Sequence, residues 1–295
     1  MIYKNILQTI GNTPIVKINK LNSNKKVNVF AKLEGQNPGG SVKDRAAIFM
    51  IEQAEKSGEL TADKIILEAT SGNTGIGLAL VAAVKGYKTK IVMSAGASRE
   101  RKQILKLLGA QITETPAGLR TDGAIQTARK MFNKHPELYW MPNQFDNRNN
   151  SKAHFEGTAK EIIREVPKIT IFVAGIGTSG TLMGISRKLK KYNRKIKIVG
   201  VESAYIKGVP GLKNLQKSIM PKIYNQSQID EKVEVDLEQA FKVVKQLAVK
   251  EGLLVGLSSG AAMYMALKIA KQINSGNIVV LMPDRIEKYL SLGLF

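Results

Sequence analysis

Asn37-Pro38-Gly39-Gly40-Ser41-Val42-Lys43-Asp44-Arg45 sets a Pro-Gly-Gly-Ser turn directly against a lysine and the start of a helical pattern. Proline and paired glycines punctuate the chain at such a turn. Before it, Val27–Leu33 reads as a strand; after it, residues 42–57 read as a helix. A lysine at a turn-to-helix junction is held in place and can act as a nucleophile. The alternative is a plain solvated lysine, but a cation in a first helical turn opposes the helix macrodipole and gains nothing there.

The same strand–loop–helix grammar recurs downstream. Thr70-Ser71-Gly72-Asn73-Thr74 lies between a short apolar strand at 64–68 and an Ala-rich helix at 75–85. Its backbone N–H groups, hydroxyls and the Asn73 amide could hold a carboxylate, or could simply cap the helix. Gly175-Ile176-Gly177-Thr178-Ser179-Gly180-Thr181 lies between a strand at 169–174 and a helix at 181–192. Its G-x-G-x-x-G spacing admits a dinucleotide, although Glu202 lies somewhat beyond the spacing of a ribose-binding acid. The hydroxyls of Thr178, Ser179 and Thr181 suit one terminal phosphate monoester better than a bridging pyrophosphate, and a structural glycine turn is also open. A fourth segment, Gly256-Leu257-Ser258-Ser259-Gly260-Ala261-Ala262, joins two helical patterns with small residues. A flat ring could approach there and Ser258 could meet a heteroatom; alternatively Ser259 caps the next helix.

Strands at 88–93, 111–114 and 138–141 alternate with helices at 99–108 and 121–133. After a loop at 143–150 the rhythm restarts. Helices are expected at 155–166, 237–251 and 259–273, and strands at 195–201 and 277–282, with an irregular stretch at 203–228. This βαβα alternation predicts two doubly wound, mostly parallel α/β units with helices on both sheet faces.

Composition narrows the chemistry. The 295 residues are 43% hydrophobic, enough for a large core and for two domains. No apolar run approaches the roughly 18 residues of a membrane span, and the N-terminus lacks a signal-peptide core, so a cytoplasmic location is expected. With no cysteine, disulfides and thiolate metal sites are excluded. The two histidines, His135 and His154, are too few for a multi-histidine metal site, and no metal is expected. His135 reads as surface; His154 is equally open to a structural role and to one near a site. The formal charge of +21 is spread over many segments without interleaved aromatics, so a nucleic-acid partner is not expected.

The four loops together resemble one family. The chain is similar to the cysteine synthases (O-acetylserine sulfhydrylases), pyridoxal 5'-phosphate (PLP) enzymes of fold type II, from Ile10-Gly11-Asn12-Thr13-Pro14 to Lys288-Tyr289-Leu290-Ser291. The dinucleotide reading accounts for only one of the four loops. Val209-Pro210-Gly211-Leu212-Lys213 and Asp284-Arg285 look most like the cysteine synthase B branch.

The resemblance implies a tryptophan synthase β-like fold. It has a larger domain of residues 1–36 plus 148–295 and a smaller mobile domain of 37–147. It implies that Lys43 forms the Schiff base with PLP and removes the Cα proton, and that Gly177, Thr178, Ser179, Gly180 and Thr181 cradle the phosphate. Asn73 is then expected at the ring hydroxyl and Ser258 at the pyridine nitrogen. Thr70, Ser71, Gly72, Thr74 and Gln144 are expected to hold the substrate carboxylate. The implied reaction is β-replacement, making L-cysteine from O-acetyl-L-serine and a sulfur donor (sulfide or thiosulfate) by way of an α-aminoacrylate. A cysteine lyase or hydratase releasing hydrogen sulfide is the alternative, and a homodimer is implied for either. Met93-Ser94-Ala95-Gly96-Ala97-Ser98 and the pair Ile286-Glu287 depart from the common pattern in loops that flank the substrate cleft, and so bear on donor choice.

Overall fold

The computed structural model describes residues 2–70 and 72–293. Ten strands form two sheets among them. The larger joins β1 (Ile15–Ile18), β2 (Val27–Leu33), β7 (Ile171–Gly175), β8 (Lys197–Ser203), β9 (Glu231–Val235) and β10 (Gly276–Met282) in the order β1-β2-β10-β7-β8-β9. The smaller joins β3 (Ile65–Ala69), β4 (Lys88–Ser94), β5 (Gln111–Thr115) and β6 (Tyr139–Trp140) in the order β5-β4-β3-β6. β1 runs antiparallel to β2; every other pair is parallel.

The helices are α1 (Lys43–Ser57), α2 (Asn73–Lys85), α3 (Arg99–Leu107), α4 (Arg120–Lys134), α5 (Arg148–Glu156), α6 (Thr158–Glu165), α7 (Gly180–Tyr192), α8 (Leu237–Gln246) and α9 (Leu257–Gln272). Strand alternation sorts the sheet side chains between two helical layers. Val173, Val199, Val201, Ile278 and Val280 face α8 and α9. Their neighbours Phe172, Ala174, Ile198, Val279 and Leu281 face α6 and α7. In the smaller sheet Ile66 packs on α1 and α2, and Ile91 and Met93 on α2 and α3. Leu67, Ala69 and Val92 pack on α4. Both sheets are therefore covered on both faces, which is why the inner strands β3, β7 and β10 are mostly apolar runs.

Two expectations needed correction, and two strands were not anticipated. β1 and β9 are edge strands with mostly exposed or half-buried residues; β1 spans only four residues, and the charges of β9 (Glu-Lys-Val-Glu-Val) hide its strand signal. The expected loop at 143–150 ends in the helix α5, whose polar residues Asn150, Ser151 and His154 are buried rather than exposed. That helix fits because α7 offers Gly184; a Cβ there would sit 2.1 Å from the Ser151 carbonyl oxygen. The expected helix at 237–251 leaves α-helical geometry at Leu247, where a wider π turn runs to Glu251. Among the described residues no helix is long and apolar enough to cross a membrane.

Candidate active site

The key loops leave the carboxyl ends of β3, β7 and β10, where open parallel sheets form their ligand crevices. The turn before α1 is tied to the end of β10. The Val42 N–H donates to the Pro283 carbonyl at 2.8 Å, and Ser41 bridges Asp284. Inside that turn the Gly39 N–H donates to the buried Asp44 carboxylate at 2.6 Å. Burial raises the Asp44 pKa to about 7, opposed by charge from Lys288 and by that hydrogen bond.

Lys43 is the first residue of α1. Two residues on, Arg45 anchors the helix in a buried ion network. It reaches Glu34 and Glu161 at 2.6 Å each, and Glu161 also meets Lys32 at 2.7 Å. The half-buried Lys43 ammonium donates to Thr178 Oγ1 at 3.1 Å. Burial lowers its pKa to about 8, against an opposing pull from Glu68. Glu68 is itself buried at the end of β3, and burial raises its pKa to about 8.

A chain of hydrogen bonds links the loops. Thr74 Oγ1 donates to Gln144 Oε1 at 2.5 Å, and Gln144 Nε2 to the Ala69 carbonyl at 3.0 Å. Asn150 Nδ2 donates both to the Gln144 carbonyl at 2.8 Å and to Thr178 Oγ1 at 3.1 Å. Thr70 Oγ1 accepts from the Gly72 N–H at 3.1 Å. Gly72 has φ +144°, and a Cβ there would lie 2.3 Å from Arg101 Cδ, so this position demands glycine twice over. Ser71 lies outside the described residues.

In the β7–α7 loop Ser179 adopts φ +65°, a left-handed conformation that costs a serine about 1–3 kcal/mol. The bend delivers Thr178, Gly180 and Thr181 at the first turn of α7, where helical N–H groups lack intrahelical partners. Gly177, Thr178, Ser179, Gly180 and Thr181 therefore line one short arc. Ser258 stands across from it; its Oγ is 3.7 Å from where a Cβ on Gly211 would be. α9 starts at Leu257 with Gly256 as its cap residue, so Ser259 does not cap it, contrary to that alternative.

Asn73 is engaged at both ends of its amide. Nδ2 donates to Asp284 Oδ2 at 2.7 Å, and Oδ1 accepts from Lys288 Nζ at 3.2 Å. One Nδ2 hydrogen remains for a ligand. Tyr289 also donates to Asp284 Oδ2, at 2.6 Å, and the Arg101 guanidinium stacks on the Tyr289 ring at 4.4 Å. Burial pushes the Tyr289 hydroxyl well above its usual pKa and lowers that of Lys288. Nothing local in the sequence marks Asn150, Glu68 or Arg101. Asp284 enters the sequence reading only as part of the Asp284-Arg285 resemblance, with no site role; its place just past the end of a parallel strand is the signal that could have given it one.

The described residues thus bring together Lys43, Thr70, Gly72, Asn73, Thr74, Gln144 and the 177–181 arc, with Ser258 nearby. Buried Asp284 Oδ1, Arg101 Nε and Asn150 Oδ1 have no protein partner. A primary amine of lowered pKa, a hydroxyl-rich arc at a helix start and spare buried polar atoms fit a phosphorylated aldehyde such as PLP. Among the described residues no group of three or more His, Asp or Glu is placed to hold a metal ion.

Residues 6–284 match the family described as pyridoxal-phosphate dependent enzyme. The chain is 43% identical to the cysteine synthase of Aquifex aeolicus, over 98% of this chain and 91% of that one. It is 39% identical to cysteine synthase B of Salmonella typhimurium, over 98% and 95%. Its fold is similar to that of a hydrogen sulfide-producing enzyme from Fusobacterium nucleatum, with TM-score 0.93 and 40% identity over 98% of this chain and 100% of that one.

Proposed function

The chain belongs to the pyridoxal-phosphate dependent enzymes, and from that membership we propose that it makes L-cysteine from O-acetyl-L-serine and a sulfur donor by β-replacement. The observation that carries this reading is the Lys43 amine, 3.1 Å from Thr178 Oγ1, with its pKa lowered to about 8.

PLP, when bound, supplies an aldehyde for amine exchange and an electron sink for the bond at Cα. Lys43 would be the covalent anchor, and its amine, uncharged in a useful fraction near neutral pH, would take the Cα proton. Gly177, Thr178, Ser179, Gly180 and Thr181 would hold the phosphate with backbone N–H groups and hydroxyls at the positive end of α7. Asn73 would offer its remaining N–H to the ring hydroxyl. Thr70, Ser71, Gly72, Thr74 and Gln144 bind the substrate carboxylate, with Gln144 fixed by its bond to the Ala69 carbonyl. Ser258 would meet the ring nitrogen. A serine hydroxyl cannot keep a proton there as an aspartate would, so the sink is weaker and favours a good β-leaving group such as acetate. Residues 37–147 form a smaller unit that closes on the substrate and shuts out water. The enzyme works as a homodimer, as the resemblance implies.

A second reading uses the same groups with cysteine as the substrate and hydrogen sulfide as the leaving group. The likeness to the Fusobacterium nucleatum enzyme favours it. One titration separates the two. The visible absorption of the PLP-loaded protein should shift on adding O-acetylserine and return on adding sulfide. A band that ignores O-acetylserine but responds to cysteine selects the lyase. The absence of any visible band after PLP addition overturns both.

A further inference from the structure

His154 is fully buried on α5, between the first residue of α6 and the second residue of α7. Its Nδ1 is 3.0 Å from Thr158 Oγ1 and its Nε2 is 3.2 Å from Thr181 Oγ1. The ring is held where α5 crosses α7, its Cβ only 2.9 Å from the place a Cβ on Gly184 would take. The charged groups acting on it, Lys43 and Arg45, are both cations. Burial and these two charges keep the imidazole neutral.

A neutral imidazole has one donor and one acceptor nitrogen. If the proton is on Nδ1, it goes to Thr158 Oγ1, and Nε2 must accept the only hydroxyl proton of Thr181. Thr181 then has nothing to give a ligand. If the proton is on Nε2, the Thr158 hydroxyl donates to Nδ1, and Thr181 Oγ1 accepts from Nε2. The Thr181 proton is then free for an anion at the start of α7. A hydroxyl bond to an anion is roughly twice as strong as a neutral one, so an anion selects the second arrangement.

We infer that His154 is a positioning residue: its Nε2–H, relayed from Thr158, turns the Thr181 hydroxyl toward the cofactor phosphate. This rests on the proposed phosphate role of the 177–181 arc. The relay runs Thr158 O–H to His154 Nδ1, His154 Nε2–H to Thr181 Oγ1, and Thr181 O–H to phosphate.

The chain has two histidines, so His135→Gln leaves His154 as the single imidazole. The ring ¹⁵N spectrum of that variant, loaded with PLP, should show the Nε2–H form with no titration between about pH 6 and 9. An Nδ1–H form, or a titrating ring, overturns the inference. Two substitutions give a second reading. His154→Leu keeps bulk but removes the donor, and should weaken PLP binding about tenfold or more and shift the ³¹P resonance of the bound phosphate. His154→Gln can still donate near the Nε2 position and should restore most of both. Should the leucine variant not fold, Thr181→Val, which removes the relayed hydroxyl, replaces it and should weaken PLP binding and shift the ³¹P resonance by similar amounts. Wild-type PLP affinity in His154→Leu, or in Thr181→Val, overturns the relay while leaving the functional reading intact. A wild-type chain that binds no PLP overturns the reading and the relay with it.

Discussion

Lys43 Nζ and Thr178 Oγ1 meet at 3.1 Å although 135 positions separate them. The contact joins the turn before α1 to the loop before α7. It places a nucleophilic amine beside the arc proposed to hold a phosphate. Thr178 Oγ1 also receives Asn150 Nδ2 at 3.1 Å, and Asn150 in turn holds the Gln144 carbonyl. One hydroxyl thus couples the amine, the phosphate arc and the proposed carboxylate site.

Lys43→Ala should therefore lower β-replacement by at least about 10²–10⁴-fold, the range for a lost proton-transfer group, with the anchoring role adding to it. The apoprotein should melt at or above the wild-type temperature, because a lysine amine kept from water in the cleft carries a desolvation cost. Steady-state rates with O-acetylserine and sulfide, beside a thermal melt, check both. Retention of full activity would remove Lys43 from the chemistry.

Glu68 sets a pH signature. Its folded pKa of about 8 lies above its ordinary value of 4.5, so the native state binds more protons than the unfolded chain between those values. Stability from this group is fully present below about pH 4.5 and is lost as pH rises through 8, at a slope on the order of 1 kcal/mol per pH unit. Asp44, raised to about 7, adds the same sign between pH 3.8 and 7. Glu68→Gln should flatten the decline of apoprotein stability between about pH 5 and 8. Urea unfolding across that range measures it, and an unchanged slope would exclude Glu68 as the source.

How much of this was readable beforehand follows from the range of each signal. Val27–Leu33 was legible to the residue, and α1, α2, α4 and α7 to within two residues of each end, because their apolar periodicity is local. The three loops at strand ends were legible because Gly, Ser and Thr cluster there within a few positions. Asp284 and Asn73 lie 211 positions apart, and nothing local says that one carboxylate accepts from the other. α5 was hidden because its buried face is polar: Asn150 and His154 are satisfied by distant partners rather than by apolar packing. β9 was hidden because an edge strand tolerates charge.

The ion network behind α1 predicts an acid-sensitive anchor. Burial pushes the Glu161 carboxyl up, but hydrogen bonds and charge from Arg45, then Lys32, outweigh it and hold the pKa at about 2. A carboxyl depressed in this way stabilises the fold above pH 4.5 and loses that contribution as pH falls toward 2. Glu161→Gln leaves two buried cations short of charge and should cost about 3–5 kcal/mol at neutral pH. Its stability should also fall less steeply than wild type between pH 4.5 and 2. A variant as stable as wild type at pH 7 would show that Glu34 alone can hold Arg45.

The C-terminal segment Ile286–Leu292 ties α3, a helix of the smaller sheet, to the end of β10 in the larger sheet. Ser98 Oγ donates to the Lys288 carbonyl at 2.8 Å, and Ser291 donates through its N–H and Oγ to Glu100 at 2.7 and 2.6 Å. The same segment carries Tyr289 to Asp284 and Lys288 to Asn73, so its seating orients the residue proposed for the ring hydroxyl. Glu100 is exposed enough that losing its two bonds should cost only about 1–3 kcal/mol. Glu100→Ala should therefore leave the melt within a few degrees of wild type, while the KM for the amino-acid substrate rises several-fold, up to about tenfold. PLP affinity should fall less than KM rises, because the phosphate arc is untouched. Equal kinetics in Glu100→Ala and wild type would mean that the Ser98 and Tyr289 bonds seat the strap without Glu100.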